Sequence, residues 1–436
     1  MKAGQGLRSK AAVLREQNFR TFYTGYVTSL LGSSMSAVAI AWAVLNTGAS
    51  ATDLGYVFAA AVVPQVLLMA FAGVVADRFG RRRVMLGADM LRCGAQASLA
   101  VLLFTGRPAL WVFILLAWLG GMGEAFFDPA MSALTVEIAP SDRLSDANAM
   151  YGLASSVTRI GGPALGGLLI AAAGSAGPAV VVAVDAATYA ISVLALSRLR
   201  LPARSAEPAR QSMFRDMASG WAEFRSRTWL WTVSVQFAFM NLLTWAPWML
   251  LGPVQGHGYL GGAAVWGAIL GVQGAGAIIG GTLSLGRRPS RPLIVSTIGT
   301  FGYALPDIAL ALHGGAPWVA VAALLSGVGS SVFSTFDATV IQQQVPADML
   351  ARVNGIAVFP AYGIGVIGYG IDGRLASAIG AQTVFGIGAV YGVLSSAVVL
   401  TLPAVRAVRW RSAAPESAQR LTEVNPSADA PAASGP

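Results

Sequence analysis

Glu124, Arg159 and Asp337 stand inside long apolar stretches, in a chain where charged residues are only 11% of 436. A charge at the centre of a membrane helix costs about 2.5 to 3.5 kcal/mol on translocon scales, so such residues usually face a protein interior and often mark function. Asp89, Arg92, Asp128, Asp185 and Asp307 share this setting. Asp89 and Arg92 are three apart on one helical face, close enough to neutralise one another, and read as structural. Glu124 has no basic residue within a helical turn. A carboxylate held out of water can take up and release a proton near neutral pH, and Arg159 is its candidate counter-ion, with Asp128 as competitor. Other chemistries lack their residues. Cys93 is the single cysteine, and His257 and His313 are the only histidines. An intramolecular disulfide and a cysteine metal cluster are excluded, and a zinc site and a cofactor are not expected. No nucleophile-base arrangement is visible, so an enzyme is not expected.

A second group of charges lies in GVVADRFGRRRVM, residues 73–85, where Gly73, Asp77, Arg78, Gly80, Arg81 and Arg82 sit between two apolar runs. The simplest account is topogenic: basic residues that fix which side of a membrane the loop occupies.

These residues need elements to carry them. The chain is 55% hydrophobic, with a mean hydropathy of +0.63, too apolar for a soluble domain. Its runs of about 18 to 25 residues are long enough, at ~1.5 Å per residue, to cross a hydrocarbon layer of ~30 Å as helices. We read twelve helices, at roughly 21–45, 54–76, 84–104, 110–136, 147–171, 178–197, 229–251, 262–285, 292–312, 317–341, 352–374 and 380–402. With these assignments, 25 of the 29 Lys and Arg fall at the N-terminus, in the connections after even-numbered helices, or in the C-terminal tail. The exceptions are Arg92, Arg107, Arg159 and Arg374. The positive-inside rule then places both termini in the cytoplasm of a multi-pass protein of the cell membrane. The first apolar run starts after Arg20 and is too long for a signal-peptide core. The formal charge of +9 is accounted for by this distribution and does not require nucleic acid.

An offset of 206 residues superposes Gly121, Gly123 and Phe127 on Gly327, Gly329 and Phe333, and Pro140, Asp142, Leu144 and Asn148 on Pro346, Asp348, Leu350 and Asn354. Gly80, Arg81 and Arg82 fall on Gly286, Arg287 and Arg288. The predicted organisation is an N-terminal segment 1–20, a six-helix bundle 21–197, a linker 198–228, a second bundle 229–402 and a disordered tail 403–436. Two parallel repeats place a substrate site between them near the midplane. The linker contains Phe214, Met217, Trp221 and Phe224 at helical spacing, which predicts an amphipathic helix at the membrane surface.

The motif and the repeat resemble the major facilitator superfamily, an all-α membrane fold of two pseudo-symmetric six-helix bundles. Gly73, Asp77, Arg78, Gly80, Arg81 and Arg82 fill that superfamily's loop pattern between helices 2 and 3 without a gap. FFDPA at 126–130, LSDANAM at 144–150 and GGPALGG at 161–167 are similar to its branch of enterobactin-type and macrolide-type exporters. Two features depart: Thr158 replaces a glycine of the helix 5 antiporter motif, and Ala117 stands where many proton-coupled antiporters carry an arginine.

The resemblance implies that Asp77 caps a helix of the opposite half near Ala351, while Arg81 pairs with Asp128 or Glu137, forming a latch on the cytoplasmic side. It implies that Glu124 and Asp337 face the central cavity. Glu124, with Arg159, then becomes the candidate for proton coupling, and Asp337 either binds a proton or caps a helix end. Asp185 and Asp307 would be peripheral and structural. Gly162, Pro163, Gly166 and Gly167 would form a hinge or leak barrier, the alternative being close packing. Met35, Trp42, Phe239, Met240, Trp245 and Trp248 are placed to line a cavity for a bulky, partly apolar or cationic molecule. The expected function is secondary transport: proton-coupled export of a small amphipathic compound, such as a drug, antibiotic or siderophore, by a monomer in the lipid bilayer. Uptake by symport and a non-transporting membrane sensor are the alternatives.

Overall fold

The computed structural model describes residues 11–199, 213–346 and 349–410. Six long helices form a first bundle: α1 Gln17–Leu45, α2 Ala51–Phe79, α3 Arg81–Thr105, α4 Leu110–Ile138, α5 Leu144–Ala173 and α6 Gly177–Ser197. A surface helix, α7 Met213–Ser226, leads into a second bundle. This comprises α8 Thr228–Gly258, α9 Ala263–Ser284, α10 Pro292–Ala311, α11 Ala316–Gln344, α12 Leu350–Ile379 and α13 Ala381–Thr401, with a short α14 Pro403–Arg406 after it. Among the described residues, α1 to α6, α8 to α11 and α13 hold stretches long and apolar enough to cross a membrane.

The helices begin and end where backbone donors and acceptors find partners. Ser50 caps α2 through a reciprocal bond with Asp53, and this satisfies two donors that the first turn leaves free. Gly80 has φ 88°, a conformation that disfavours side chains, and it turns the chain directly from α2 into α3. Its repeat counterpart Gly286 also has positive φ, 70°, but it lies in a longer connection between Ser284 and Pro292. α8 is interrupted by a π turn, Asn241–Trp245.

The bundles mirror one another in their packing. In the first, α1 packs on α6, α2 on α4, and α3 on both α4 and α6; in the second, α9 packs on α11 and α10 on both α11 and α13. Between bundles, α5 packs on α9 and α2 on α12, an exchange that a two-fold axis requires.

Glycine makes this seam possible. A Cβ on Gly167 would lie 2.3 Å from the Ala263 carbonyl, one on Gly267 2.3 Å from Pro163 O, one on Gly55 2.2 Å from Tyr369 O, and one on Gly373 2.5 Å from Thr52 Cα. These approaches lie between mid-section and the end marked by the α1–α2, α5–α6 and α8–α9 turns. Towards the opposite end, a Cβ on Gly73, Gly152, Gly355 or Gly363 would meet no atom within 4 Å. The halves are therefore joined at one end, and among the described residues no such close approach of these glycines is found at the end that carries Phe79–Arg81, where the halves are parted.

The expected segments shift at their edges. Residues 17–20 belong to α1 and 11–15 form a 3-10 turn, so the N-terminal segment is partly helical. α2, α8 and α12 run longer than their apolar cores, because polar helical turns extend beyond the hydrocarbon-length stretch. In the linker helix Phe224 is buried against Trp229 and Leu230, and Trp221 stacks on it at 5.7 Å while remaining exposed. Residues 200–212 of the linker and 411–436 of the tail, including the expected disorder, lie outside the described residues.

Candidate functional site

Arg81, the first residue of α3, donates through Nη1 to Glu137 Oε1 at 2.7 Å and to the Ala133 carbonyl at 2.8 Å. Asp128 stands nine residues before Glu137, about 14 Å away along α4, and is exposed. Arg82 donates to the Leu196 carbonyl at 2.7 Å and to Ser197 O, placing a cation on the free acceptors at the end of α6. Arg78 is exposed, 5.8 Å from the Phe79 ring centroid. The side chains of Asp77 and Ala351 lie outside the described residues.

The interior between the halves holds two chambers. The first, about 280 Å³, is walled mainly by the first bundle and includes Arg92, Gln96, Glu124, Asp185 and Tyr189. Arg92 is ion-paired with Asp89 and held between aromatic rings, 4.4 Å from the Phe127 centroid and 4.7 Å from Tyr189. Ser192 donates to Asp89 Oδ2 at 2.6 Å, and Gln96 Nε2 to Asp185 Oδ2 at 2.8 Å. Glu124 accepts a bond from Gln65 Nε2 at 3.1 Å. Deep in the bundle, its carboxylate is nevertheless open to the chamber. One arginine thus shares this wall with several acids, and a cationic ligand would meet complementary charge.

The second chamber is walled mainly by α5 and the second bundle. Its two lobes, about 320 and 500 Å³, share Arg159, Trp245 and Ser330. Asp337 lines the larger lobe with one carboxylate oxygen buried and without a partner. Phe58, Ala37 and Met249 border both this chamber and the first.

This geometry revises several expectations. Among the described residues no ion pair joins Arg159 to Glu124; Arg159 faces Asp337's chamber, and Arg92 stands beside Glu124 instead. α3 turns Arg92 inward, so it is not merely a peripheral neutraliser. Asp185 also lines the cavity. Trp245 and Met240 border the second chamber. Trp248 is packed on Trp266 at 4.7 Å and donates to Gln273 at 3.3 Å. Met35 is core, Phe239 is exposed beside Tyr391, and Trp42 borders a separate vestibule at the joined end. The aromatics Phe58, Phe113, Tyr189 and Tyr369 were not legible as cavity residues, because helical rotation decides their facing. In the α5 segment, a Cβ on Gly162 would lie 2.3 Å from Ser34 Cβ and one on Gly166 2.8 Å from Met35 O. These glycines form a close-packed seam, and α5 stays helical through Pro163.

Two parallel bundles around a cavity joined at one end and parted at the other define a membrane transporter of the major facilitator type. Residues 8–436 match the family described as transmembrane secretion effector, and the chain belongs to that family. It is similar to the multidrug efflux pump Tap of Mycolicibacterium fortuitum, 29% identical over 87% of this chain and 94% of the relative. It is also similar to macrolide efflux protein A of Streptococcus pyogenes, 24% identical over 77% and 83%. In fold it resembles a bacterial homologue of the lysosomal transporter Spinster solved in an inward-facing, unoccupied conformation. The TM-score is 0.69 and the identity 14%, over 92% of this chain and 99% of that one.

Proposed function

We propose that the chain exports small amphipathic organic molecules in exchange for protons by alternating access, with Glu124 as the proton carrier. The observation that carries this reading is Glu124 itself: a carboxylate open to an aromatic-walled chamber, held by Gln65 and set beside Arg92. Export is supported by the kinship with efflux pumps. The distribution of basic residues supports cytoplasmic termini, and on that orientation the parted end opens inward.

The cycle follows from charge. In the inward-open form Glu124 gives its proton to water at the cytoplasmic mouth, and the carboxylate left behind attracts a cationic or polarised substrate. After the halves rock, a proton arriving from outside neutralises Glu124 and removes that attraction, so the substrate leaves. Arg92, fixed by Asp89 and two rings, keeps the carboxylate's field from being excessive when the site is empty. Arg159 and Asp337 supply polar contacts for larger substrates in the second chamber. The Arg81–Glu137 pair anchors the α2–α3 turn to α4, and with Asp77 it acts as a latch when the inner mouth closes.

Ethidium efflux from energised cells expressing the chain tests this. Loss of efflux on adding a protonophore is expected. Efflux that persists without a proton gradient, or net inward flux, would overturn the assignment.

A further inference from the structure

Asp307 of α10 and Asp372 of α12 are the acids that the proposed cycle does not use. Asp307 is 0% exposed and Asp372 3%. Both oxygens of Asp307 and Oδ2 of Asp372 lack a hydrogen-bond partner. The two acids stand on either side of consecutive residues of one turn of α8. No Lys, Arg or His among the described residues bonds to either.

Both acids abut the π turn of α8. A Cβ on Gly388 would lie 2.6 Å from Asp307 Oδ2 and 2.1 Å from Leu243 O; one on Gly368 would lie 3.3 Å from Asp372 Oδ2 and 3.1 Å from Leu242 O. Among the described residues, the backbone groups these approaches place beside the two carboxylates are the Leu242 and Leu243 carbonyls, which are acceptors. The other titratable groups on these and the packed helices include Tyr303 of α10, Tyr369 and Arg374 of α12, Tyr391 of α13, Asp53 and Tyr56 of α2, His257 of α8 and Asp337 of α11. Tyr369 faces the first chamber, Arg374 is bonded to Tyr56, the Tyr391 hydroxyl donates to Gln236 O at 3.1 Å, and Asp337 lies in the second chamber. Two carboxylates buried without a cation or donor beside one turn lose their hydration with nothing to replace it, so such a place favours a bound proton over two charges.

Asp372 also adjoins Gly373, whose backbone packs against Thr52 of α2 at the joined end. Parting that end must move α12 and so separate or hydrate the pair.

We propose that Asp307 and Asp372 form a proton-binding site whose occupation is required for the Leu45–Ala51 end of the transporter to close. The proton enters and leaves by that same end, so it sets the conformational balance without adding to net transport. The site rests on the alternating-access part of the proposed function, not on the role of Glu124.

Two readouts on the full-length protein in liposomes test it. Infrared spectroscopy near neutral pH should show the C=O stretch of a buried carboxylic acid that is altered in D307N and in D372N and absent from the double variant D307N/D372N. Spin labels on Ala49 and Gly258, in a Cys93→Ala background with both sites changed to Cys, should show acid shifting wild type towards the short distance. D307N and D372N, which imitate the protonated pair, should hold the short distance at every pH tested. A band unchanged in both single variants or surviving in D307N/D372N, a band that moves on adding NaCl, or an unchanged pH response would overturn the proposal. Failure of ethidium export to depend on Glu124 would leave both readouts untouched.

Discussion

Arg374 of α12 donates to the hydroxyl of Tyr56 on α2 and holds its guanidinium carbon 5.6 Å from the ring centroid. Nearby, His257 of α8 and Asn46, just past α1, meet at 3.2 Å. These two polar links cross between the halves where the glycine seam closes them. Changing Asn46 and His257 to Cys, with Cys93→Ala, should give a disulfide on mild oxidation that stops transport, and reductant should restore it. Free transport by the cross-linked protein would show that this end does not open.

The glycine seam gives a second expectation. Gly267→Ala drives a methyl into Pro163 O, and overpacking of this kind costs about 1 to 3 kcal/mol. Gly161→Ala meets no atom within 4 Å and gains helix propensity of roughly 0.5 to 1 kcal/mol. The first should lower the melting temperature in detergent and impair transport; the second should do neither. Equal effects would remove the seam's assigned role.

Arg92→Ala leaves Asp89 buried and unpaired, which costs about 3 to 5 kcal/mol. Thermal unfolding should therefore fall sharply in Arg92→Ala, less in Arg92→Lys, which keeps the charge but loses the planar contact with both rings. The double change D89N/R92M should recover most of the loss. Melting of the double variant as low as that of Arg92→Ala would place the cost elsewhere.

At the α2–α3 turn, Arg81→Ala and Glu137→Gln should slow transport to a similar degree, because they break one contact. The exchange R81E/E137R should recover part of the rate, whereas Asp128→Asn should behave differently from both. Equivalent behaviour of Asp128 and Glu137 variants would contradict the observed pairing.

The sequence carried the fold well because membrane helices announce themselves by length and by where Lys and Arg accumulate. The turn at Gly80 was legible for a local reason: a glycine between an acid and three arginines is a tight, charged connection. Facing was harder. Arg92 looked neutralised by Asp89, and nothing in their spacing says that Phe127 and Tyr189 from other helices present it to the cavity. Asp372 escaped notice because the apolar pattern fades near Arg374, whereas α12 continues to Ile379. Arg159 and Glu124 each lie mid-helix, yet they belong to different chambers, a distinction set by how α4 and α5 pack rather than by their positions along the chain.

The central claim is that substrate and proton compete through Glu124. Proteoliposomes with a trapped pH dye and the purified full-length chain test it: adding ethidium outside should move protons the opposite way in wild type. In Glu124→Gln, which has neither a charge to attract ethidium nor a proton to exchange, ethidium should bind more weakly and move none. Proton movement in Glu124→Gln equal to wild type would contradict the account.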